Sequence, residues 1–333
     1  MKALMYLGPR KMELQDVPEP SPAPGEARVR VSAAAICGSD LHGFREASPR
    51  RIPPLVMGHE AVGTVDLVGA GVDDSLEGTR VVAMPVVPCG ACARCGEGRV
   101  NLCPNRRLMG MDFPGAFAES FTIDAARLLP IPENLPDTTG TLVEPLANAV
   151  HSVERAVHEG DEVLVIGAGP IGLFAVRASV LAGAARTFVV DRLEHRLVLA
   201  KGLGGEPVAV EGAAEALAAA TDGAGVDVVI DAAGFAPTWS LAIQLVRPGG
   251  HIEVIGLGAA EGPASYQAIV AKGLTLVGSY ACVQRDFVRA LRLLSSGDVD
   301  VEGWTVTMPL ADGQLAFEAL VDDERFTKVV LTP

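Results

Sequence analysis

The chain lacks the features expected of a nucleic-acid-binding or membrane protein. The 333 residues include 27 Lys and Arg but 41 Asp and Glu. The resulting net charge of −14 disfavours polyanionic partners. No apolar run approaches the roughly 20 residues that span a bilayer, and residues 1–10 lack the apolar core of a signal peptide. No internal repeat of a solenoid protein is present. These absences predict a cytoplasmic globular protein with no nucleic-acid or membrane partner.

The sequence has two successive residue patterns, which predict two domains, and the chain is long enough for two. Residues 28–34 and 60–68 alternate or run β-branched, with Gly and Pro between them, so the first 140 residues are predicted to be β-rich. From about residue 160, solidly apolar strands alternate with helices, which predicts an α/β fold with a parallel sheet covered on both faces. A helix near 284–295 and short strands near 304–308 and 328–332 follow, and the pattern alone assigns them to neither domain.

Four of the six cysteines lie close together and indicate a metal site. Their spacing is Cys-x2-Cys-x2-Cys-x7-Cys, and the four are Cys89, Cys92, Cys95 and Cys103. Four thiolates complete a tetrahedral zinc ion, which is typical of a structural site. Glycines at 90, 96 and 98 would let the backbone turn around the ion. Disulfides or free thiols are the alternatives, and disulfides belong to oxidising compartments. We therefore predict a structural zinc lobe at about residues 88–104.

A glycine motif indicates a dinucleotide site. Gly167, Gly169 and Gly172, with Pro170 and Ile171 inside the motif, follow a predicted strand and open a predicted helix. In such a motif the first glycine permits the tight turn, the second lets the pyrophosphate approach, and the third lets the helix pack on the strand. The helix N-terminus then faces the negative pyrophosphate.

The acid after the next predicted strand indicates which nucleotide binds. Asp191 would accept hydrogen bonds from the two ribose hydroxyls and would repel a 2′-phosphate, so the sequence predicts NAD rather than NADP. Arg192 follows directly and could partly accommodate a phosphate, which keeps NADP as the less favoured alternative.

Three further segments carry side chains that bind metals or transfer protons. The first runs from Cys37 to His42, the second is Gly58-His59-Glu60, and the third places Glu144 before Pro-Leu. Taken alone, each residue has an ordinary explanation, such as a small buried thiol, a core histidine or a surface acid. Their order relative to the cysteine lobe and the glycine motif is more informative.

In this order the motifs closely resemble the zinc-dependent medium-chain dehydrogenase/reductase family, nearest to its polyol (sorbitol-like) and threonine dehydrogenase branch. The resemblance covers essentially the whole chain. It implies a GroES-like catalytic domain from residues 1–145 and 282–333, interrupted by a Rossmann dinucleotide-binding domain at 146–281. It also implies a homodimer or homotetramer.

The resemblance implies a second, catalytic zinc ion in each subunit. Cys37, His59 and Glu60 match its ligands, and Glu144 matches a further ligand or water partner. No cysteine lies between 104 and 281, which excludes the alcohol-dehydrogenase variant of the site. The implied reaction moves a hydride between a secondary alcohol or polyol and NAD, giving a ketone.

The same resemblance implies a proton relay. Ser39 would share a face with Cys37 in a strand-like segment, and it matches the relay hydroxyl; His42 would continue the relay outward. Asp40 matches a carboxylate that orients the histidine ligand. Lys328 matches a basic residue near the cofactor phosphates, although a solvated lysine is an equal alternative.

The substrate stays open at this point. A sugar alcohol, aminocyclitol, amino acid or diol is compatible with the motifs, and an NADP-linked aldehyde or ketone reductase or a catalytically silent cofactor-binding protein is the functional alternative. Arg45, Arg50 and Arg51 form either a solvated loop or a group that binds a substrate phosphate or carboxylate. Pocket-lining candidates, each also explicable as plain packing, are Phe44, Met109, Phe113 and Phe117, the residues around Gly256 and Leu257, and Tyr280.

Overall fold

A computed structural model describes residues 1–323 and 326–333 and divides the chain into two compact units. The first unit is Met1–Glu144 with Val283–Pro333, and the second is Pro145–Cys282. In the part of the chain described, no helix is long and apolar enough to cross a bilayer.

The N-terminal part of the first unit is mainly strands. They are β1 (Lys2–Gly8), β2 (Lys11–Asp16), β3 (Glu26–Ala35), β4 (Leu55–Val56), β5 (Glu60–Val68), β6 (Arg80–Ala83), β7 (Val86–Val87), β8 (Arg107–Leu108), β9 (Ser120–Asp124) and β10 (Leu128–Pro130). Its helices are α1 (Gly38–Arg45), α2 (Ala93–Gly96) and α3 (Asp137–Gly140).

The second unit alternates strands and helices. Helix α4 (Val143–Ala156) begins just before it, and α5 (Pro170–Leu181), α6 (Glu194–Gly202), α7 (Ala213–Ala220), α8 (Ala236–Leu245) and α9 (Tyr266–Lys272) follow. Its strands are β11 (Glu162–Ile166), β12 (Arg186–Val190), β13 (Glu206–Val208), β14 (Val226–Asp231), β15 (Val246–Val254) and β16 (Thr275–Gly278). The chain then returns to the first unit as α10 (Gln284–Ser295), β17 (Thr305–Pro309), α11 (Gly313–Glu318) and β18 (Lys328–Thr332).

The six strands of the second unit form a parallel sheet in the order β13-β12-β11-β14-β15-β16. Numbered from β11, this is the 3-2-1-4-5-6 order of a doubly wound dinucleotide-binding sheet. Strand β11 is buried from Val163 to Ile166 without alternation, because helices cover both faces of such a sheet. The predicted parallel sheet is confirmed.

The main sheet of the first unit has the order β10-β6-β5-β3-β18-β17, and β9 also pairs with β3. A three-stranded sheet, β2-β1-β4, and the β7-β8 ribbon complete the strands. Strand β3 buries Ala27, Val29 and Val31 at alternate positions, as expected where one face packs on the core.

Strand register brings three distant segments to one end of β3. Ala35 pairs with Glu60 on one side and with Val330 on the other, and the amide of Ile36 donates to the Val329 carbonyl at 3.0 Å. The segments that follow or precede these pairs carry Cys37, His59 and Lys328. The pairing of β18 with β3 therefore decides that the C-terminal tail belongs to this unit, which the sequence pattern left open.

Candidate metal centres and nucleotide site

The four clustered cysteines have the spacing of a zinc-thiolate site. Cys92 Sγ lies 3.5 Å from Cys95 Sγ and 3.7 Å from Cys103 Sγ, and Cys103 Sγ lies 3.5 Å from Cys89 Sγ. Zn–S bonds of about 2.3 Å in a tetrahedron place sulfurs about 3.8 Å apart, so the four thiols fit the ion. Gly90 and Gly98 have φ of 72° and 74°, whereas the third predicted glycine, Gly96, lies in α2 with an ordinary φ.

Unequal thiol environments also suit metal binding. Hydrogen bonds from the backbone of Ala91 and from the Cys103 thiol lower the pKa of Cys89 to about 6. Desolvation and the Cys92 thiol raise the pKa of Cys95 to about 11. A zinc ion would take the place of the thiol protons, because thiolate is the binding form.

A second group of donors lies at the end of β3. One ligand atom each from Cys37, His59 and Glu60 lies within 4.8 Å of the others, and His59 and Glu60 are buried. Burial lowers the pKa of His59, but the negative charges of Asp40 and Cys37 outweigh this effect and raise the pKa to about 10. A buried position next to the carboxylates of Asp40 and Glu144 fits a cation, and these S, N and O donors are the types that zinc accepts with a position left for substrate.

Glycine makes the turn that presents His59. Gly58 has φ of +95°, a conformation that L side chains rarely adopt. A Cβ at Gly58 would also lie 2.7 Å from the Phe117 ring, and Gly115 packs against the Gly58 carbonyl oxygen. Residue 58 must therefore be glycine so that the backbone can turn, and the two residues that follow it supply metal donors.

Glu60 has a lysine partner inside the same site. Lys328 Nζ and Glu60 Oε2 form an ion pair, with side chains only 2% and 0% exposed. Burial lowers the pKa of Lys328, but Glu60, with Cys37 and Glu144, raises it above its usual value. The ammonium therefore stays charged. The expected contact of Lys328 with cofactor phosphates is untested and stays a prediction.

Glu144 faces the same centre from the first turn of α4. Its charge contributes to the raised pKa of both His59 and Lys328. It is not part of the group of ligand atoms within 4.8 Å found among the described residues. Its role as a further ligand or water partner stays a prediction.

The segment after Cys37 is a helix, so the prediction of a strand-like segment at Ser39 was wrong. Cys37 is the N-cap residue of α1, and Asp40 Oδ2 accepts from the Cys37 amide at 3.2 Å. An acid three residues after the cap satisfies the free amide at a helix start, which outweighs the short polar pattern. Ser39 thus lies in the first turn of α1 and His42 one turn further along.

The completely buried Asp40 connects this helix to His59. Asp40 Oδ1 lies 3.5 Å from His59 Nδ1. His42 is exposed within its unit, and partial desolvation, Arg45 and Arg51 lower its pKa. A neutral imidazole close to solvent is suited to pass a proton outward.

The glycine motif has the predicted local geometry. Gly167 has φ of +92°, and a Cβ on Gly172 would lie 1.7 Å from the Gly167 carbonyl oxygen. Gly169 caps α5, and a Cβ there would meet no protein atom within 4 Å, which leaves that side open to a ligand. Pro170 and Ile171 start the helix, with proline where no amide partner is needed.

Asp191 is held beside this turn by two backbone amides. Its Oδ2 accepts from Ala168 at 2.6 Å and its Oδ1 from Leu193 at 2.8 Å. Asp191 is half-buried and Arg192 is exposed. The carboxylate therefore has a defined position at the end of β12, adjoining the phosphate-binding turn.

Most of the proposed pocket aromatics are core residues instead. Phe44 and Phe117 are fully buried, and their rings lie 5.1 Å and 5.8 Å from the Phe317 ring. Met109 is fully buried in the same core, and Phe113 packs against it. Sequence position near a motif did not distinguish packing from substrate contact.

Comparisons with known proteins agree with this geometry. Residues 23–133 match the alcohol dehydrogenase GroES-like domain, and residues 170–296 match the zinc-binding dehydrogenase domain. The L-threonine 3-dehydrogenase of Pyrococcus furiosus is 34% identical over 311 residues, covering 91% of this chain and 89% of that protein. The chain belongs to the zinc-binding dehydrogenases. This confirms the predicted family and the GroES-like and Rossmann fold classes.

Two solved structures extend the comparison. A protein described as a short chain alcohol dehydrogenase, from Escherichia coli CFT073 and complexed with NADH, has a TM-score of 0.93 at 31% identity, covering 100% of this chain and 99% of that chain. Galactitol-1-phosphate dehydrogenase from Escherichia coli has a TM-score of 0.92 at 25% identity and covers 100% of both chains. This dehydrogenase is accordingly an NAD(P)-dependent zinc enzyme that acts on CH–OH groups.

Sequence reasoning did not identify two contacts of the site. Lys328 was predicted near the cofactor phosphates or in solvent, and its pairing with Glu60, which depends on the register of β18, was not predicted. Arg51 was predicted with Arg45 and Arg50 to form a solvated loop or a group that binds a substrate phosphate or carboxylate, and its buried contact with Asp40 was not predicted. The one signal for Arg51 was its position between the two ligand segments.

Proposed function

We propose that this dehydrogenase oxidises a secondary alcohol or polyol-type substrate to a ketone with NAD, at the centre formed by Cys37, His59 and Glu60. The observation that carries the proposal is the convergence of these three donors within 4.8 Å, separate from the closed cysteine lobe. A donor set of three leaves a position for substrate, whereas the four-cysteine set does not.

The cofactors would supply the chemistry that side chains lack: zinc favours the alkoxide form of an alcohol, and the nicotinamide accepts the hydride. Asp40 would hold the His59 tautomer through Nδ1, leaving Nε2 for the metal. Ser39 would take the alcohol proton and His42 would pass it to solvent. Lys328 would supply the counter-charge to Glu60 when no metal is bound.

We assign the NAD site to the second unit, with Gly167, Gly169 and Gly172 at the pyrophosphate and Asp191 at the ribose. The two amides that hold Asp191 support this assignment, because they fix the carboxylate without neutralising it. The first unit is then the catalytic domain. NADP use is the less favoured alternative, since an anion at this position repels a 2′-phosphate.

We further propose that the enzyme forms a homo-oligomer through the second unit. Strand β16 is an edge of its sheet, and Leu276, Tyr266 and Val270 are 42%, 79% and 79% exposed near that edge. Exposed apolar groups beside a free strand edge favour association. Replacing Leu276 by Lys should lower the oligomer mass measured by light scattering; an unchanged mass would place the interface elsewhere.

The deciding experiment is an NAD⁺ reduction screen on zinc-loaded protein. Sugar alcohols, aminocyclitols, diols and L-threonine represent the open substrate classes, and each is tested with NAD⁺ and with NADP⁺. The Cys37→Ser variant is the matched control, because it removes one donor and leaves the cysteine lobe intact. Turnover with an alcohol in the wild type and none in the variant supports the proposal. Absence of turnover with every class in the wild type would favour a silent cofactor-binding protein.

A further inference from the structure

A buried guanidinium lies between the proposed relay and the proposed zinc ligand. Arg51 is 5% exposed, and its Nη2 donates to Ser39 Oγ at 3.1 Å and to Asp40 Oδ1 at 3.2 Å. Both hydrogens of that one nitrogen are thereby used. A buried charge is stable only when it is paired, and the Asp40 carboxylate supplies the pair.

The fold makes room for this arginine at a specific glycine. A Cβ at Gly43 would lie 2.5 Å from Arg51 Cδ, in the middle of the arginine side chain. The Tyr6 hydroxyl donates to the Gly43 carbonyl at 2.8 Å and anchors that turn of α1. The absence of a side chain at Gly43 therefore leaves the space that the Arg51 side chain occupies.

We propose that Arg51 is a positioning residue for the dehydrogenation, acting through Ser39 and Asp40; the inference rests on the proposed function of this site. A serine hydroxyl has one hydrogen to donate and two lone pairs. When Arg51 donates to one lone pair, the Ser39 hydrogen cannot point toward Arg51. The hydroxyl is thus held with its hydrogen and remaining lone pair directed away from the guanidinium, free to exchange protons.

The second contact extends the same control to the metal ligand. Asp40 Oδ1 receives Arg51 and also lies 3.5 Å from His59 Nδ1. Partners beyond the ligands orient the ligating histidine and change metal affinity when they are removed. Arg51 would therefore link the orientation of His59 to that of Ser39 through one nitrogen atom.

The neighbouring arginine provides a matched control. Arg50 pairs with Asp112 at 2.6 Å on the surface, with 41% of its side chain exposed. Arg51→Met and Arg50→Met remove the same charge from adjacent positions. We expect kcat to fall about 10- to 100-fold in Arg51→Met, the lower part of the contribution of a relay group, and to change less than about twofold in Arg50→Met.

A double-mutant cycle separates positioning from general damage. In a Ser39→Ala background, Arg51→Met should lower kcat by a smaller factor than in the wild-type background, because its route through Ser39 is already absent and only the route through Asp40 remains. Arg51→Lys should recover most of the lost kcat, since an ammonium can also donate to both oxygens. An equal loss in both backgrounds, or no loss in Arg51→Met, would overturn the proposal.

A readout without turnover tests the second contact. Co²⁺ is exchanged into the protein, and the d–d bands absent in Cys37→Ser are assigned to that site. Arg51→Met and Gly43→Ala, which displaces the arginine without removing charge, should both shift those bands and weaken Co²⁺ binding, whereas Arg50→Met should not. Unshifted bands in a folded Arg51→Met protein would refute the link to His59. If the wild type has no alcohol turnover, the proposed function fails, and the cobalt spectra still decide whether Arg51 holds Asp40 and His59.

Discussion

The buried pair of Lys328 with Glu60 allows a quantitative test of the site. Lys328→Met keeps the length and apolar character of the side chain but removes its charge. Glu60, 0% exposed, would then lose its ammonium partner in the zinc-free protein. Breaking a buried ion pair by removing one partner costs about 3–5 kcal/mol, because the remaining charge stays desolvated.

Zinc should reduce that loss. A domain of 150–250 residues loses roughly 2–4 °C in Tm per kcal/mol, so the zinc-free variant should melt about 6–20 °C below the zinc-free wild type. A bound cation would give Glu60 a new counter-charge, because Glu60 is one of the clustered donors. The Tm increase on adding zinc should therefore be larger in Lys328→Met than in wild type.

Circular dichroism melts of mildly chelated and zinc-loaded protein measure both effects. Lys2→Met is the control, since its pair with Asp16 is 49% and 78% exposed and such pairs contribute little. Adding Glu60→Gln to Lys328→Met should restore much of the zinc-free Tm, because no uncompensated charge remains. The reasoning is refuted if Lys328→Met lowers the zinc-free Tm no more than Lys2→Met does. It is also refuted if added zinc does not reduce the difference in Tm between Lys328→Met and the wild type.

The remaining predictions concern the two metal sites, the relay and the cofactor. Cys37→Ser should lose one of two zinc ions per subunit, by metal analysis, and all turnover while keeping its fold. Cys95→Ser should compromise folding, because structural zinc contributes folding free energy. Full activity in Cys37→Ser would contradict the assignment of the catalytic site. Ser39→Ala should lower kcat for alcohol oxidation by ~10²–10⁴ and His42→Ala by less, since solvent can replace an outer relay member; wild-type rates in Ser39→Ala across the pH range would exclude the relay. Asp191→Ser should shift preference toward NADP⁺ in a cofactor titration, and a wild type that prefers NADP⁺ would make this assignment wrong.

Local sequence patterns predicted the secondary structure correctly where one pattern, such as a run of apolar residues or a glycine motif, was clear. The apolar strands around Val163 to Ile166, followed by the glycine motif, predicted the strand, turn and helix that the structure contains. The prediction failed after Cys37, where Ser39 was expected in an extended segment. There a capping contact between residues three apart decided for a helix, and short polar segments carry too little periodicity to show this.

The sequence by itself determined the four-cysteine donor set, because cysteine spacing is a local property of the chain. The set of Cys37, His59 and Glu60 was named through the family resemblance, and the pairing of β3 with β5 brings its segments together. The sequence also determined the dinucleotide turn, in which Gly167 takes a positive φ, Gly172 avoids the Gly167 carbonyl oxygen and Gly169 leaves a side open to a ligand. Only the tertiary structure decided which charges surround the donors. Lys328 reaches Glu60 because β18 pairs with β3 across nearly 300 residues of chain, and Arg51 reaches Ser39 because Gly43 leaves room for its stem. Such contacts depend on strand register and on close packing, and neither leaves a periodic signal along the chain.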